Sequence, residues 1–293
     1  MKGYSNMLGE TNRNRLVPTA SLACIIMCWT ACAALSETLA VDQVIQKNIE
    51  ARGGAQAWRA IQTMTLEGKM DAGTKTGIQL PFVLKLERPR KSRLEISFAE
   101  STALQIYDGT NGWKVRPFLN RLQVEPFTPE ETQIAAEQSD LDGFLIDHGA
   151  KGIRVELIGK EPVENRDAYK LRLTLKNGST REVWLDANTF LEIMIEGAPR
   201  KLDGKMHTVQ TYFRDYRKVS GLMIPFVLET AVEKVKDTHK IAFDSVVVNP
   251  VLDSDAFLRP DVRGMKPAKG LVRSSLTMPQ ATVEPLIKPA GNN

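Results

Sequence analysis

Apolar and polar residues alternate with a period of two along most of the chain. Five apolar side chains share one face across residues 78–86, and the same alternation recurs over residues 94–98 and 169–175. Successive side chains of a strand point to opposite faces of a sheet, so this pattern predicts strands with one dry and one wet face. About a dozen strand candidates lie between Gln62 and Asn249, without the strand–helix alternation of a parallel sheet. The pattern therefore predicts one antiparallel sheet.

Two helical regions are predicted beside these strands. Apolar residues recur at helical spacing over residues 41–49, Gly53-Gly54 ends that helix, and residues 55–61 can form a second turn or two. Further along, Thr128-Pro129-Glu130-Glu131 is a capping box with proline at the first helical position, so a helix is expected to begin there.

The second helical region is expected to continue, with a break near Asp140, to Gly149. Phe144 and Leu145 belong to its apolar face. Gly143 weakens the segment, because glycine costs about 1 kcal/mol relative to alanine inside a helix. The second half would be either a fixed plug or a lid that a bound ligand displaces, and the spacing favours the plug.

A one-sided sheet of this size must bury its dry face. Open twisted sheets rarely exceed ~10 strands without curling, and the two helical regions are the only cover available. The predicted fold class is mainly β: a curved, incomplete antiparallel β-barrel, a half-barrel of about 11 strands, wrapped around short helices. Such a half-barrel should leave an apolar cavity on its concave face. The residues predicted to line it are Leu80, Phe82, Leu84, Leu94, Ile96, Phe98, Trp113, Phe144, Leu145, Leu171 and Leu173.

Two tryptophans illustrate how alternation assigns a face. Trp113 shares a strand face with Val115, away from Lys114, which predicts core packing or a place in the cavity wall. Trp184 instead shares a face with Glu182 and is expected on the outside or at an edge.

Composition excludes several functional classes. The chain has 39 Lys and Arg residues against 35 Asp and Glu residues. It therefore lacks the concentrated basic surplus of a nucleic-acid binder. All three cysteines (Cys24, Cys28, Cys32) precede residue 33, so the remainder has no thiol nucleophile, thiolate metal site or disulfide. The three histidines are far apart, and no hydrolase, metalloprotease or phosphate-loop motif occurs. We therefore expect a non-enzymatic protein with no catalytic residues, metal or cofactor.

The N-terminus has the pattern of an export signal. Arg13 and Arg15 precede an uncharged, largely apolar run over residues 16–36 that ends in small residues. About 20 such residues could instead span a bilayer as an uncleaved anchor, and Thr30-Ala31-Cys32 fits the end of a lipobox, which would place a lipid on Cys32. Pro18 and the Ser and Thr residues make a poor membrane span, so cleavage is favoured.

These patterns divide the chain into three parts. Residues 1–36 are predicted to be a signal peptide and residues 37–260 a single binding domain. Residues 261–293 are rich in proline and glycine without periodicity, which predicts a flexible tail.

Residues 104–117 combine a strand, Asp108-Gly109, a tryptophan and a proline, followed by Gln123-Val124. Together with residues 49–54, 183–193 and 216–225, this stretch resembles the outer-membrane lipoprotein carrier (LolA-like), lipoprotein-sorting family. The resemblance covers roughly residues 41–260 and implies an incomplete antiparallel barrel around helices, with an apolar cavity for acyl chains. The chain is longer than the carriers, and its Pro-rich tail has no counterpart in them.

The resemblance and the dry sheet faces together predict a periplasmic protein that binds lipid or lipoprotein acyl chains, in lipoprotein sorting or lipid transport. The alternative is an envelope sensor or scaffold whose half-barrel binds a protein partner, with the acidic 129–148 region and the flexible tail as its docking elements. The basic cluster over residues 88–93 is either a solvated turn or a transient contact with anionic headgroups. No nucleic-acid partner is expected.

Overall fold

The structure, a computed structural model, describes residues 39–72, 77–98, 100–117, 121–202 and 205–265. The predicted signal peptide and residues 266–293 of the predicted tail lie outside these ranges. Within them, no helix is long and apolar enough to cross a membrane.

The described chain contains three short helices and fifteen strands. The helices are α1 (Val41–Ala51), α2 (Ala55–Arg59) and α3 (Pro129–Gln138). The strands before α3 are β1 (Thr63–Asp71), β2 (Gln79–Glu87), β3 (Lys91–Phe98), β4 (Ser101–Tyr107), β5 (Gly112–Arg116) and β6 (Arg121–Pro126). The strands after it are β7 (Arg154–Val163), β8 (Arg166–Thr174), β9 (Thr180–Asp186), β10 (Glu192–Glu196), β11 (Arg200–Leu202), β12 (Lys205–His207), β13 (Val209–Val219), β14 (Leu222–Val232) and β15 (His239–Val248).

Thirteen strands form one antiparallel sheet in the order β6-β5-β4-β3-β2-β1-β15-β14-β13-β10-β9-β8-β7, and β11 pairs only with β12. Because β6 and β7 do not pair with each other, the sheet is an incomplete barrel, and the predicted fold class is confirmed. The sheet has two more strands than the expected half-barrel. Its edge strands β6 and β7 are largely exposed.

Strand register sets the concave face of the sheet. Leu84 on β2 lies between Leu66 on β1 and Leu94 on β3, so these three side chains point the same way. The predicted first helix is confirmed, and its C-terminal end is fixed to the sheet because the amide of Met223 donates to the carbonyl of Arg52 at 3.0 Å.

Helix α3 connects strands near the two ends of the sheet. The predicted capping box is present: the Glu131 amide donates to Thr128 Oγ1 at 3.2 Å, and the Thr128 amide donates to Glu131 Oε2 at 2.7 Å. The other carboxylate oxygen of Glu131 lies 2.5 Å from Lys114 Nζ on β5, and both side chains are buried. Two turns later, Glu137 lies 2.9 Å from Arg181 on β9. The helix thus spans the opening that strand pairing leaves.

The predicted continuation of this helix to Gly149 is wrong. Helix α3 ends at Gln138, and residues 141–152 form consecutive turns. Gly143 and Asp147 have φ values of 71° and 56°, and a left-handed residue cannot continue a right-handed helix. The expected break near Asp140 is therefore the end of the helix.

Gly68 provides a test of this fold. It follows the bulge between β1 and β15, and a Cβ at this position would lie 2.0 Å from the carbonyl oxygen of Ala242. We expect Gly68→Ala to lower the free energy of unfolding by about 1–3 kcal/mol or more, since backbone must move to relieve the clash. Urea denaturation measures this change.

The control is Gly149→Ala, where an added Cβ meets no heavy atom within 4 Å. This substitution should change the free energy of unfolding by no more than about 0.5 kcal/mol. Equal stability of the two variants would contradict the described approach of β1 to β15.

Candidate functional site

Two buried apolar clusters occupy the concave face. The first joins β1–β4, β14 and β15 to α2, and the second joins β7–β9 to α1. The first contains the predicted residues Leu80, Phe82, Leu84, Leu94, Ile96 and Phe98. The second contains Phe144, Leu145, Leu171 and Leu173. The sheet and its helices therefore bring together ten of the predicted lining residues, six in one cluster and four in the other.

Trp113 lies elsewhere. It is paired with Ile106 in the β4–β5 register, on the face opposite Ala103, which belongs to the first cluster. Trp113 packs with Ile106, Ala256 and Phe257 in a separate cluster on the outer face. The alternation pattern correctly predicted that Trp113 and Val115 share a face. That this is the outer face is shown only by the C-terminal segment, which packs over it. We do not retain Trp113 among the candidate lining residues.

The turns after α3 join the two clusters. Leu141 and Ile146 pack in the first cluster, whereas Leu145 and the half-buried Phe144 pack in the second. Leu145 is 1% exposed and Ile146 0%. Such burial is that of a core segment, which favours the plug over the lid. We refer to residues 139–152 as the plug segment.

Cations around the plug segment hold it in place. Arg88 donates two hydrogen bonds to the carboxylate of Asp142, at 2.8 and 2.6 Å, and a third to the carbonyl of Trp58 at 2.8 Å. Arg52 donates to the carbonyl of Asp142 at 2.9 Å and stacks 4.4 Å from the Trp58 ring. Lys151 donates to the carbonyl of Gly143 at 2.6 Å. These bonds satisfy backbone groups that burial would otherwise leave unpaired.

Arg88 also determines the charge state of Asp142. Burial opposes ionisation of this carboxyl group, but the hydrogen bond and the charge of Arg88 outweigh burial and hold the pKa of Asp142 below its usual 3.8. The remaining cations of the 88–93 cluster are paired as well: Arg90 with Asp140, Lys91 with Glu87 and Arg93 with Glu95. The cations of the 88–93 cluster thus pair with acids of the same protein, so we do not retain the cluster as a contact for anionic lipid headgroups.

A buried polar centre lies where α1 meets β10. Asn48, which is fully buried, donates to the carbonyl of Phe190 at 2.8 Å, and Arg52 lies 3.6 Å from Glu192. The Tyr216 hydroxyl donates to the carbonyl of Glu192 at 2.9 Å, and burial raises the pKa of this tyrosine well above 10. In the part of the chain that the structure describes, no group of His, Cys, Asp or Glu is placed to hold a metal ion.

Register also reveals apolar residues that the sequence analysis did not assign. Leu80, Met70, Ile241, Leu228 and Phe213 are successive partners across β2, β1, β15, β14 and β13, and we call them the concave row. Leu80 and Met70 are buried, but the last three are half-buried. The concave row thus ends in apolar surface that the core leaves partly uncovered.

A polar pair follows the concave row. The hydroxyl groups of Thr211 and Thr230 are 3.1 Å apart, two residue pairs nearer the end of β13 and β14 that carries the β11–β12 hairpin and hence on the same face. Thr211 is in turn paired with Ile195 on β10. The alternating apolar residues of β14, from Leu222 to Leu228, are the signal that could have identified this part of the site.

Trp184 lies on the outer face, as predicted, but it is buried there. It is only 3% exposed, because it packs with Val163, Ala168, Ile193 and Met194, Lys170 lies over its ring, and its indole nitrogen donates to Glu161 at 2.6 Å. The outer face therefore carries a small apolar cluster of its own, which the long side chain of Lys170 helps to cover.

Comparisons with known proteins address the fold alone. No family profile matches the chain, and no curated protein matches it in sequence. Among solved structures, a LolA superfamily protein from Nitrosomonas europaea has a TM-score of 0.51 and 14% identity, covering 74% of this chain and 97% of its own. A DUF1329 family protein from Desulfovibrio piger has a TM-score of 0.52 and 14% identity, covering 75% and 98%.

A third structure, a putative outer membrane lipoprotein-sorting protein domain from Vibrio parahaemolyticus, has a TM-score of 0.50 and 13% identity, covering 73% of this chain and 94% of its own. The likeness extends over nearly the whole of each of these proteins. The chain therefore has the LolA-like fold, as the sequence resemblance implied.

The Arg88–Asp142 pair yields a prediction about pH. We expect Asp142→Asn to lower the free energy of unfolding at pH 7 by about 2–3 kcal/mol, because Arg88 loses a mostly buried partner. The folded-state pKa of Asp142 is depressed, so its contribution is present above the unfolded pKa and is lost as pH falls through the folded value. The difference in free energy of unfolding between the wild type and Asp142→Asn should therefore become smaller below about pH 4.

Urea midpoints at pH 7 and pH 3 measure this difference. Asp147→Asn is the matched control. Asp147 lies in the same plug segment but pairs with the exposed Arg59, so loss of its carboxylate should change the urea midpoint little. A constant difference between wild type and Asp142→Asn at both pH values would contradict the assigned pairing.

Phe144 tests the plug. Phe144→Asp should lower the free energy of unfolding by several kcal/mol, since it places an unpaired charge in the second cluster. Ala150→Asp, at an exposed position of the same segment, is the control and should have little effect. Thermal unfolding followed by circular dichroism compares them. A stably folded Phe144→Asp variant with faster ligand exchange would instead identify a lid.

Proposed function

We propose that this protein is a non-enzymatic, exported carrier that binds a lipid or the acyl chain of a lipoprotein on the concave face of its half-barrel. The observation that carries the proposal is the concave row, whose half-buried members Ile241, Leu228 and Phe213 continue the buried core outward. Half-buried apolar side chains on a curved sheet offer contact area to an apolar ligand. These three side chains carry no polar group that could activate a substrate.

The uncovered part of the concave row suits a segment of an acyl chain. Leu80 and Met70 are buried, and adjacent strands lie about 4.8 Å apart, so Ile241, Leu228 and Phe213 extend over roughly 10 Å. Burial of about 8 carbons at ~0.8 kcal/mol per CH₂ would contribute on the order of 5 kcal/mol before ordering costs. Release of the chain would then be to a partner or a receiving membrane.

The paired hydroxyl groups of Thr211 and Thr230 suit the polar end of such a ligand. They follow the concave row on the same face, where an acyl chain lying along the row would place its ester or amide group. Hydroxyl groups both donate and accept hydrogen bonds, so they match these groups without a fixed charge.

The cellular setting follows from the sequence. A basic flank and an apolar run ending in small residues favour export through a cleaved signal peptide over residues 1–36, and hence a periplasmic protein. An uncleaved anchor over residues 16–36 and lipidation of Cys32 remain the less favoured alternatives. The likeness to a putative outer membrane lipoprotein-sorting domain supports a role in lipoprotein sorting or lipid transport.

The rival proposal, an envelope sensor or scaffold that docks a protein partner through its acidic region, has less support. Glu131, Glu137, Asp140, Asp142 and Asp147 all pair with cations of the same domain. Charges neutralised inside the protein offer little to a basic partner.

Leu228 tests the proposed site. We expect Leu228→Asn to weaken binding of a fluorescent fatty acid about tenfold, since the substitution removes apolar contact from the concave row. Displacement titration measures the affinity. Val227→Asn is the matched control, because Val227 is the adjacent, equally half-buried residue on the opposite face and is paired with Ala242. Equal weakening by both variants would contradict a concave site, and no binding by the wild type would overturn the carrier proposal.

A further inference from the structure

Three large apolar side chains are exposed at one end of the sheet. Ile78 is 42% exposed, Met206 60% and Val235 40%. Each belongs to a different connection: Ile78 precedes β2, Met206 is in β12, and Val235 follows β14. Exposed apolar residues are ordinary when scattered, but a group at one edge indicates an interaction surface.

Backbone pairing places these three connections side by side. The Glu233 amide donates to the carbonyl of Thr208 at 2.9 Å, and His207 bonds the carbonyl of Glu233 at 3.0 Å, which fixes the β11–β12 hairpin beside the end of β14. His239, at the start of β15, bonds the carbonyl of Asp71 at the end of β1, at 2.8 Å.

The same connections carry exposed lysines. Residues 205–208 and 233–240 contain Lys205, Lys234, Lys236 and Lys240, all exposed, against the exposed acids Glu233 and Asp237. We call Ile78, Met206 and Val235 together with these four lysines the rim. It combines large apolar side chains with a positive surplus, and Ile78 lies two residues before Leu80 of the concave row.

A second exposed apolar group has the opposite charge. Val251 is 100% exposed and Leu258 61%, but both belong to the segment that contains Asp253 and Asp255. Hydrophobicity alone therefore does not distinguish the two ends of the domain. The two ends differ in charge, because lysines outnumber acids at the rim, whereas the charged residues of 250–258 are both acids.

We propose that the rim is a docking surface for an anionic lipid bilayer. Lysines near a membrane surface are attracted to anionic headgroups, each by roughly 1 kcal/mol, and apolar side chains of this length reach the boundary between headgroups and acyl chains. Docking by the rim would bring the concave row close to the bilayer, since Leu80 of the row is two residues from Ile78 of the rim. The membrane contact stands independently of the proposed function, and only the transfer of an acyl chain along this route rests on it.

The test is binding of the full chain to phosphatidylcholine vesicles with and without phosphatidylglycerol, measured by co-sedimentation. The double variant Met206→Asp/Val235→Asp should lower the partition coefficient for the anionic vesicles about tenfold. The matched control is Val251→Asp/Leu258→Asp, which changes two even more exposed apolar residues at the acidic group and should stay within about twofold of wild type. The apolar run over residues 16–36 is common to all variants, so its contribution cancels.

Hydrogen exchange on the vesicles locates the contact. Residues 205–208 and 233–240 should be protected relative to the free chain, and residues 250–258 should not. Lys234→Gln/Lys236→Gln should reduce binding to anionic vesicles, and high salt should do the same to the wild type. Because the substituted residues are exposed, urea midpoints should be unchanged, which excludes unfolding as the cause.

Four results would overturn the proposal: equal loss in the rim and control variants, equal binding to neutral and anionic vesicles, protection at residues 250–258 instead of the rim, or a dimer lost on Met206→Asp/Val235→Asp in sedimentation velocity without vesicles. The last would identify a second copy of the chain as the occupant. Fatty-acid displacement in solution should be unaffected by the rim variants. Failure of wild-type displacement would count against the carrier proposal and leave the rim result intact.

Discussion

The bond between Arg88 and Asp142 is the interaction on which the rest of the structure depends. It fixes the plug segment, which contributes apolar side chains to both concave clusters and so joins the two halves of the sheet. A run of turns is costly to bury unless its backbone groups are paired. Arg52 and Lys151 donate to two of its carbonyl groups, and the segment can therefore occupy the position that a core helix would otherwise fill.

The second constraint is the unclosed sheet. Thirteen strands leave two edges, and closure by strand pairing does not occur between β6 and β7. Helix α3 spans the opening with Glu131 bound to Lys114 and Glu137 bound to Arg181, so ion pairs replace backbone pairing there. A barrel connected in this way can bury most of its concave face and still leave the concave row partly uncovered, which is what a binding surface for an apolar ligand requires.

The start of α3 could be predicted from sequence, but its end could not. The capping box at Thr128 is a local signal, because its hydrogen bonds form within four residues, and the structure contains it. The end of the same helix depends on where the plug segment finds partners: Asp142 meets Arg88, which is 54 residues away. Helix propensity is summed over neighbouring residues, so it cannot include a partner this far away in the sequence.

By itself, the sequence predicted the fold class and eight strand residues that lie in the two concave clusters, because alternation with period two is imposed by strand geometry. It also assigned Trp113 and Trp184 to strand faces shared with Val115 and Glu182. Only the tertiary structure decided that the face of Trp113 is the outer one, covered by Phe257, and that Trp184 is buried under Lys170. It likewise decided the concave row, since strand register brings Met70, Ile241 and Leu228 together from distant parts of the chain. Local pattern determines which residues share a face, and long-range pairing determines what that face meets.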